Sequence, residues 1–100
     1  MAQIEVVHAL KPNFGTGTNP IYPNGYITVA TVEIPDGIRP EDYLDKAFML
    51  TNHIDREWWK NAGVTLIGAP KHRSTSVGDV CVLPDGRVFR CSVMGWTEIR

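Results

Sequence analysis

The sequence predicts an α+β domain: a small antiparallel sheet, made of an N-terminal hairpin and a C-terminal hairpin, packed against one main helix and a short second helix. Three observations carry this expectation. Gln3–Ala9 (QIEVVHA) and Tyr26–Ile34 (YITVATVEI) are runs of strand length rich in β-branched residues. Val80–Leu83 and Arg87–Val93 flank Pro84-Asp85-Gly86, which suits a type I turn followed by a glycine in the left-handed region. Between these two halves the apolar period changes from strand-like to helical, over Tyr43, Leu44, Ala47, Phe48, Leu50 and Thr51.

At 100 residues the chain is long enough for one domain with a single core, and 43% apolar with 21% charged residues is ordinary globular composition. A net charge of −1 with both signs scattered gives no footprint for nucleic acid. The opening MAQIEVVHAL lacks the basic region of a signal peptide, and no stretch approaches the roughly 18 apolar residues of a membrane span. A cytoplasmic protein with its two cysteines reduced is the default expectation.

In the first strand Ile4 and Val6 alternate with Glu5 and Val7, so one face is well buried and the other partly covered. Lys11–Gly25 (KPNFGTGTNPIYPNG) then breaks every regular pattern. Its glycines resemble a phosphate cradle only superficially, because no Gly-Lys-Ser/Thr follows and no helix opens after them. As a long loop it offers Phe14, Ile21 and Tyr22 for contact with a partner. Tyr26–Ile34 pairs antiparallel with the first strand, and the free edge of this hairpin gives a second copy a place to pair, as a homodimer. Pro35-Asp36-Gly37 ends it in turn chemistry.

Pro40 suits the first position of a helix, where its missing N–H costs nothing, and Glu41 and Asp42 complement the positive end of the dipole. The helix runs to about Asn52. Asp55 is placed to cap a second helix over Arg56–Ala62, closed by Gly63. Its Trp58 and Trp59 point about 100° apart. One enters the core; the other lies near the surface as an interface anchor or as a lid on the sheet edge. Gly63–Gly68 (GVTLIG) reads as a short buried strand or extended segment.

The C-terminal hairpin sets Val80 opposite Arg90, Cys81 opposite Phe89 and Val82 opposite Val88, with Cys81, Leu83, Phe89 and Cys91 on the core face. In that register the cysteines are diagonal neighbours at best, so packed thiols are favoured over a disulfide. Gly86 serves the turn, and Gly95 and Trp96 open a terminal extended segment that caps one end of the core.

Ahead of the hairpin stands His72-Arg73-Ser74-Thr75-Ser76-Val77-Gly78-Asp79. Hydroxyls there nucleate a turn, and Asp79 is placed to accept from them, from backbone amides or from Arg73. A serine nucleophile at Ser74 or Ser76 needs a histidine base and an orienting acid. His8, His53 and His72 supply histidines, but no nucleophile-elbow spacing accompanies them. The favoured role for Ser74, Ser76 and Asp79 is structural. Three histidines without paired spacing do not make a metal site, and no cofactor motif is present.

The run Arg73-Ser74-Thr75-Ser76-Val77-Gly78-Asp79-Val80, followed by a hairpin and Gly95-Trp96-Thr97-Glu98-Ile99, resembles the YodL-like domain. That family carries a motif close to RSLSVSDV, then a hairpin and a Gly-aromatic-x-x-Ile ending. The likeness covers approximately the last seventy residues; Gly78 stands where the family usually has Ser. It implies a small accessory protein of phages, plasmids and other mobile elements, and it brings no catalytic residues with it.

Three functions are then in play. The first is a phage or mobile-element protein that binds and inhibits a host protein in the host cytoplasm, of anti-defence type, using the Lys11–Gly25 loop and Trp58/Trp59. The second is a small-ligand binder that sequesters a signalling nucleotide, with Trp58, Trp59 or Tyr22 stacking and Lys71, His72 and Arg73 holding phosphates. The third, a serine-dependent hydrolase, ranks last. The expected protein is not an enzyme.

Overall fold

A computed structural model describes residues 2–10, 22, 24–52, 57–68, 73, 75–92 and 95–99. Its strands are β1 (Ala2–Ala9), β2 (Tyr26–Ile34), β3 (Val64–Leu66), β4 (Val80–Val82), β5 (Val88–Ser92) and β6 (Gly95–Glu98). They form one antiparallel sheet in the order β3-β2-β1-β4-β5-β6. The expected α+β arrangement is therefore corrected. The sheet that unites the two hairpins is not small: β3 and β6 extend it to six strands, and strand outweighs helix about two to one. The join is β1 against β4, with Val6 facing Cys81 and Val7 facing Val80. Val7 and Ala9 are as buried as Ile4 and Val6, so β1 is covered on both faces, as suits an inner strand.

This placement also corrects the homodimer expectation in its first form. β1 and β2 both lie inside the sheet, and the described edges are β3 and β6. GVTLIG supplies β3 as a half-buried edge strand, not a buried one.

One helical segment covers the sheet. Pro40–Asp42 is a 3₁₀ turn that runs straight into α1 (Tyr43–Thr51), so Pro40 and its two acids sit where the sequence put them. Ala47 and Thr51 are fully buried, while Tyr43, Leu44 and Leu50 pack against the core of Ile4, Val6, Val29, Ala30, Val32 and Ile34. A bulge in β2 sets Ala30 opposite Val6 and Thr28 opposite Val7, leaving Val29 as the extra residue. Val29 and Ala30 both reach the same core, which a regular strand would not allow for neighbours.

The second helix shrinks to a 3₁₀ turn at Trp58–Lys60, a further correction. Asn61 leaves helical geometry, with φ −64° and ψ 146°, and its side-chain amide donates to the Leu50 carbonyl at 2.8 Å. That bond satisfies an orphan carbonyl at the end of α1 instead of extending a second helix. Asp55, the expected cap, lies outside the described residues.

The C-terminal hairpin has the predicted register: Val80 with Arg90, Cys81 with Phe89, Val82 with Val88. Gly86 takes φ +93°, and its N–H donates to the Leu83 carbonyl at 2.9 Å, closing the turn. Cys81 and Cys91 are both buried and unbridged. On the opposite face Val7, Val80 and Val88 form a second apolar cluster, against which Tyr22, Tyr26, Val82 and Ile99 pack.

Candidate functional site

β2 and β1 lie between β3 and β4 in the sheet, and Arg73, Thr75, Ser76 and Asp79 lie on the segment that connects β3 to β4. At the end of the β1–β4 ladder the Asp79 carboxylate replaces a backbone acceptor. Its Oδ1 accepts from the Ala9 N–H at 2.9 Å and from Arg73 Nη2 at 2.7 Å. Its Oδ2 accepts from Arg73 Nη1 and from the Ser76 N–H, each at 2.7 Å. Arg73 Nη2 also donates to the Ala9 carbonyl at 3.0 Å. Asp79 thus takes the partners the sequence offered it, and it is fully buried. A bidentate, charge-assisted pair of this kind holds its geometry tightly.

The surrounding bonds tie the crossover to the helix. Trp58 Nε1 donates to the Arg73 carbonyl at 3.0 Å, the Thr75 N–H donates to the Thr51 carbonyl at 2.9 Å, and the Asn52 side-chain amide donates to the Thr75 carbonyl. One polar knot therefore fastens the end of α1, the end of β1 and the segment entering β4.

This knot does not have the geometry of a hydroxyl–imidazole–carboxylate relay. Such a relay needs the hydroxyl on one ring nitrogen and the acid on the other. Here His8 Nε2 lies 2.9 Å from Thr75 Oγ1 and 3.9 Å from Asp79 Oδ2, so one nitrogen faces both groups. His8, Thr75 and Asp79 are all buried. The Ser76 hydroxyl sits at 3.5 Å from Asp79 Oδ2 and 3.3 Å from Arg73 Nη1, beside acid and guanidinium. Ser74, His53 and His72 lie outside the described residues.

The candidate binding residues separate. Trp58 is the tryptophan that enters the core, at 1% exposure, with Trp59 half-buried and edge-on to it at 5.5 Å between ring centroids. Trp58 is thereby withdrawn from the candidate interface, and Arg73 is committed to Asp79. The nucleotide reading loses a stacking ring and a phosphate ligand. Tyr22 is half-buried, its ring 5.6 Å from that of Tyr26. Phe14, Ile21, Lys71 and His72 lie outside the described residues. Gly95 opens β6, and Trp96 caps the core with its indole N–H donating to Asp45 Oδ1 at 3.1 Å and its ring edge-on to Phe48.

Sequence reasoning missed three exposed apolar side chains: Leu10 at 63%, Ile27 at 49% and Ile67 at 40% exposure. Leu10 follows β1, Ile27 lies near the start of β2 opposite His8, and Ile67 follows β3 with its N–H on the Val29 carbonyl. All three stand at one end of the sheet, the end where the Arg73–Asp79 knot holds the crossover. Their signal is a hydrophobe at a strand terminus, which only the strand order brings together.

Two grooves add little chemistry. One of about 540 Å³ runs between Pro40–Tyr43 and the Leu83–Asp85 turn, where Arg87 is paired with Asp85 at 2.8 Å. The other, about 450 Å³, lies between Lys46–Leu50 and Asn61–Gly63. Among the described residues no three His, Cys, Asp or Glu side chains converge as metal ligands. Burial pushes the Cys81 thiol far up and the Cys91 thiol up to about 11, which leaves both as poor nucleophiles. No described helix is long and apolar enough to cross a membrane.

No family model, curated protein or solved structure matches this chain. The likeness to the YodL-like domain rests on its motif alone.

Proposed function

We propose that the protein acts by binding another protein through the end of its sheet, and that it works by occupying that partner's surface. The observation that supports this reading is that Leu10, Ile27 and Ile67, three large exposed apolar side chains, all lie at one end of the sheet. Exposed hydrophobes scattered singly need no explanation, whereas a group rimmed by polar residues marks an interaction site. The Arg73–Asp79 pair holds the Ala9 backbone beside Leu10, which lowers the ordering entropy spent there on binding. In the setting that the YodL-like motif suggests, the partner is a host protein in the host cytoplasm, and the effect is inhibition of an anti-defence kind.

The test is site-specific photocross-linking. A benzophenone amino acid at Ile27 is expected to give one discrete adduct in host lysate, and the same probe at Asp36, at the opposite end of β2, none. Leu10→Ser with Ile67→Ser should abolish the Ile27 adduct while the melting temperature stays within about 5 °C of the parent, since surface changes shift stability little. Equal labelling from both positions would remove the reading.

A further inference from the structure

We infer that β6 is a self-association edge, on which a second copy of this chain adds its own β6 antiparallel about a two-fold axis at Thr97. This surface is distinct from the Leu10–Ile27–Ile67 rim and does not depend on it.

Hydrogen-bond parity leaves one side of β6 unpaired. β6 pairs with β5 so that Ser92 faces Gly95, Arg90 faces Thr97 and Phe89 faces Glu98, and the Ile99 N–H donates to the Val88 carbonyl at 2.8 Å. In an antiparallel ladder the residues that exchange backbone bonds alternate. Gly95, Thr97 and Ile99 therefore spend their N–H and C=O groups on β5, and those of Trp96 and Glu98 point off the sheet. Gly95, Thr97 and Glu98 are exposed, so the edge is open to solvent. It carries no proline and no lysine, and Glu98 is its one charged side chain.

The register that fills this edge is set by the same parity. Trp96 of one copy must face Glu98 of the other, which gives four backbone bonds and places Thr97 on Thr97 across the axis. A Thr–Thr contact is a favourable cross-strand pair, and no like charges meet. Shifting by two residues one way sets Glu98 against its own copy. Shifting the other way pairs Trp96 with Trp96 and leaves Glu98 facing a residue beyond β6. The edge strand is thus complementary to itself in one register.

A second observation lies beside it. Asp45 and Phe48 of α1 both contact Trp96, and Met49, one turn on from Asp45, is 52% exposed. Positions three and four apart share a helix face. Phe48, Met49 and the half-buried Trp96 therefore form an apolar flank along the open edge, available to an added strand. The other edge, β3, offers only three residues, and the Trp58–Lys60 turn packs on it.

A four-residue edge buries much less than the roughly 800 Å² per partner of a stable complex. The dimer is accordingly weak, with a dissociation constant of about 0.1 mM. Sedimentation of the full chain from about 10 μM to about 1 mM should show a monomer converting to a dimer.

Two variants separate this edge from others. Glu98→Pro removes only an outward N–H and leaves the β5 ladder whole. Thr97→Glu sets like charges together across the axis yet favours the monomer through neighbouring Arg90. Each should weaken association at least tenfold without lowering the melting temperature by more than about 5 °C. Thr97→Cys should form a reducible covalent dimer on mild oxidation, because directly facing residues without backbone bonds come within disulfide range.

A parent that stays monomeric at the highest concentration overturns the proposal. So does a dimer that survives both substitutions, or one cross-linked by Thr65→Cys on β3 but not by Thr97→Cys.

Discussion

Asp79→Asn should unfold this protein more than almost any other isosteric change. Asp79 accepts four short bonds, two on each oxygen, from Arg73 Nη1 and Nη2, the Ser76 N–H and the Ala9 N–H. An asparagine keeps one acceptor and turns the other into a donor. Whichever way the amide sits, two N–H donors lose their acceptor and face an NH₂ instead. Bonds to a charged group are worth about 1.5–3 kcal/mol each. Arg73 is 30% exposed and recovers some solvation, which holds the expected loss to about 3–5 kcal/mol. For a domain of this size that lowers the melting temperature by more than about 12 °C.

Urea unfolding followed by the fluorescence of buried Trp58 is the assay, with an unchanged m-value to show that the same surface unfolds. Replacing both partners, as Arg73→Met with Asp79→Leu, should cost less than Asp79→Asn alone, because no buried charge is orphaned. A loss below about 1 kcal/mol for Asp79→Asn would refute the claim that this carboxylate holds the crossover.

Other outcomes follow from the same geometry. Ser76→Ala removes only contacts of 3.3 and 3.5 Å and should cost less than about 0.5 kcal/mol by urea unfolding. Gly63→Ala should destabilise by at least about 1 kcal/mol, since φ is +85° and the new Cβ meets the Glu33 carbonyl at 3.0 Å. Gly86→Ala, with φ +93° but open space, should cost less, and the difference reads the steric part alone. Native Cys81 and Cys91 should resist iodoacetamide at neutral pH and react fully in urea, as mass spectrometry would show. Their folded pKa values lie above the ordinary 9.0, so the unfolded chain releases thiol protons first, and stability should fall from about pH 9 toward pH 11.

Local features were the legible ones. The Pro84-Asp85-Gly86 turn determines the β4–β5 register, and the Pro40 start with its helical period determines α1. Those signals sit within a few residues of what they specify. The β1–β4 pairing has no such signal. It joins residues some 75 positions apart, and only the burial of Val7 and Ala9 on the second face of β1 betrays it. Missing that contact, and the pairing of β3 with β2, left the N-terminal hairpin with a free edge it does not have. The second helix failed for a different reason: the Asn61 side chain is drawn to the end of α1, a tertiary demand that helix propensity does not register. Asp79 was readable as an acceptor from its type and position. The placement of Leu10, Ile27 and Ile67 was not, because three hydrophobes near three strand ends come to the same end of the sheet only in the folded order.

In the proposed function Leu10, Ile27 and Ile67 contact the partner, and the Arg73–Asp79 pair supports the fold beneath them. The most direct measurement is calorimetric titration of the partner captured through Ile27 against three forms: the parent, Leu10→Ser with Ile27→Ser and Ile67→Ser, and Ser76→Ala. Binding at least tenfold weaker is expected for the rim variant, and unchanged binding for Ser76→Ala. Unchanged binding by the rim variant, or loss confined to Ser76→Ala, would contradict it.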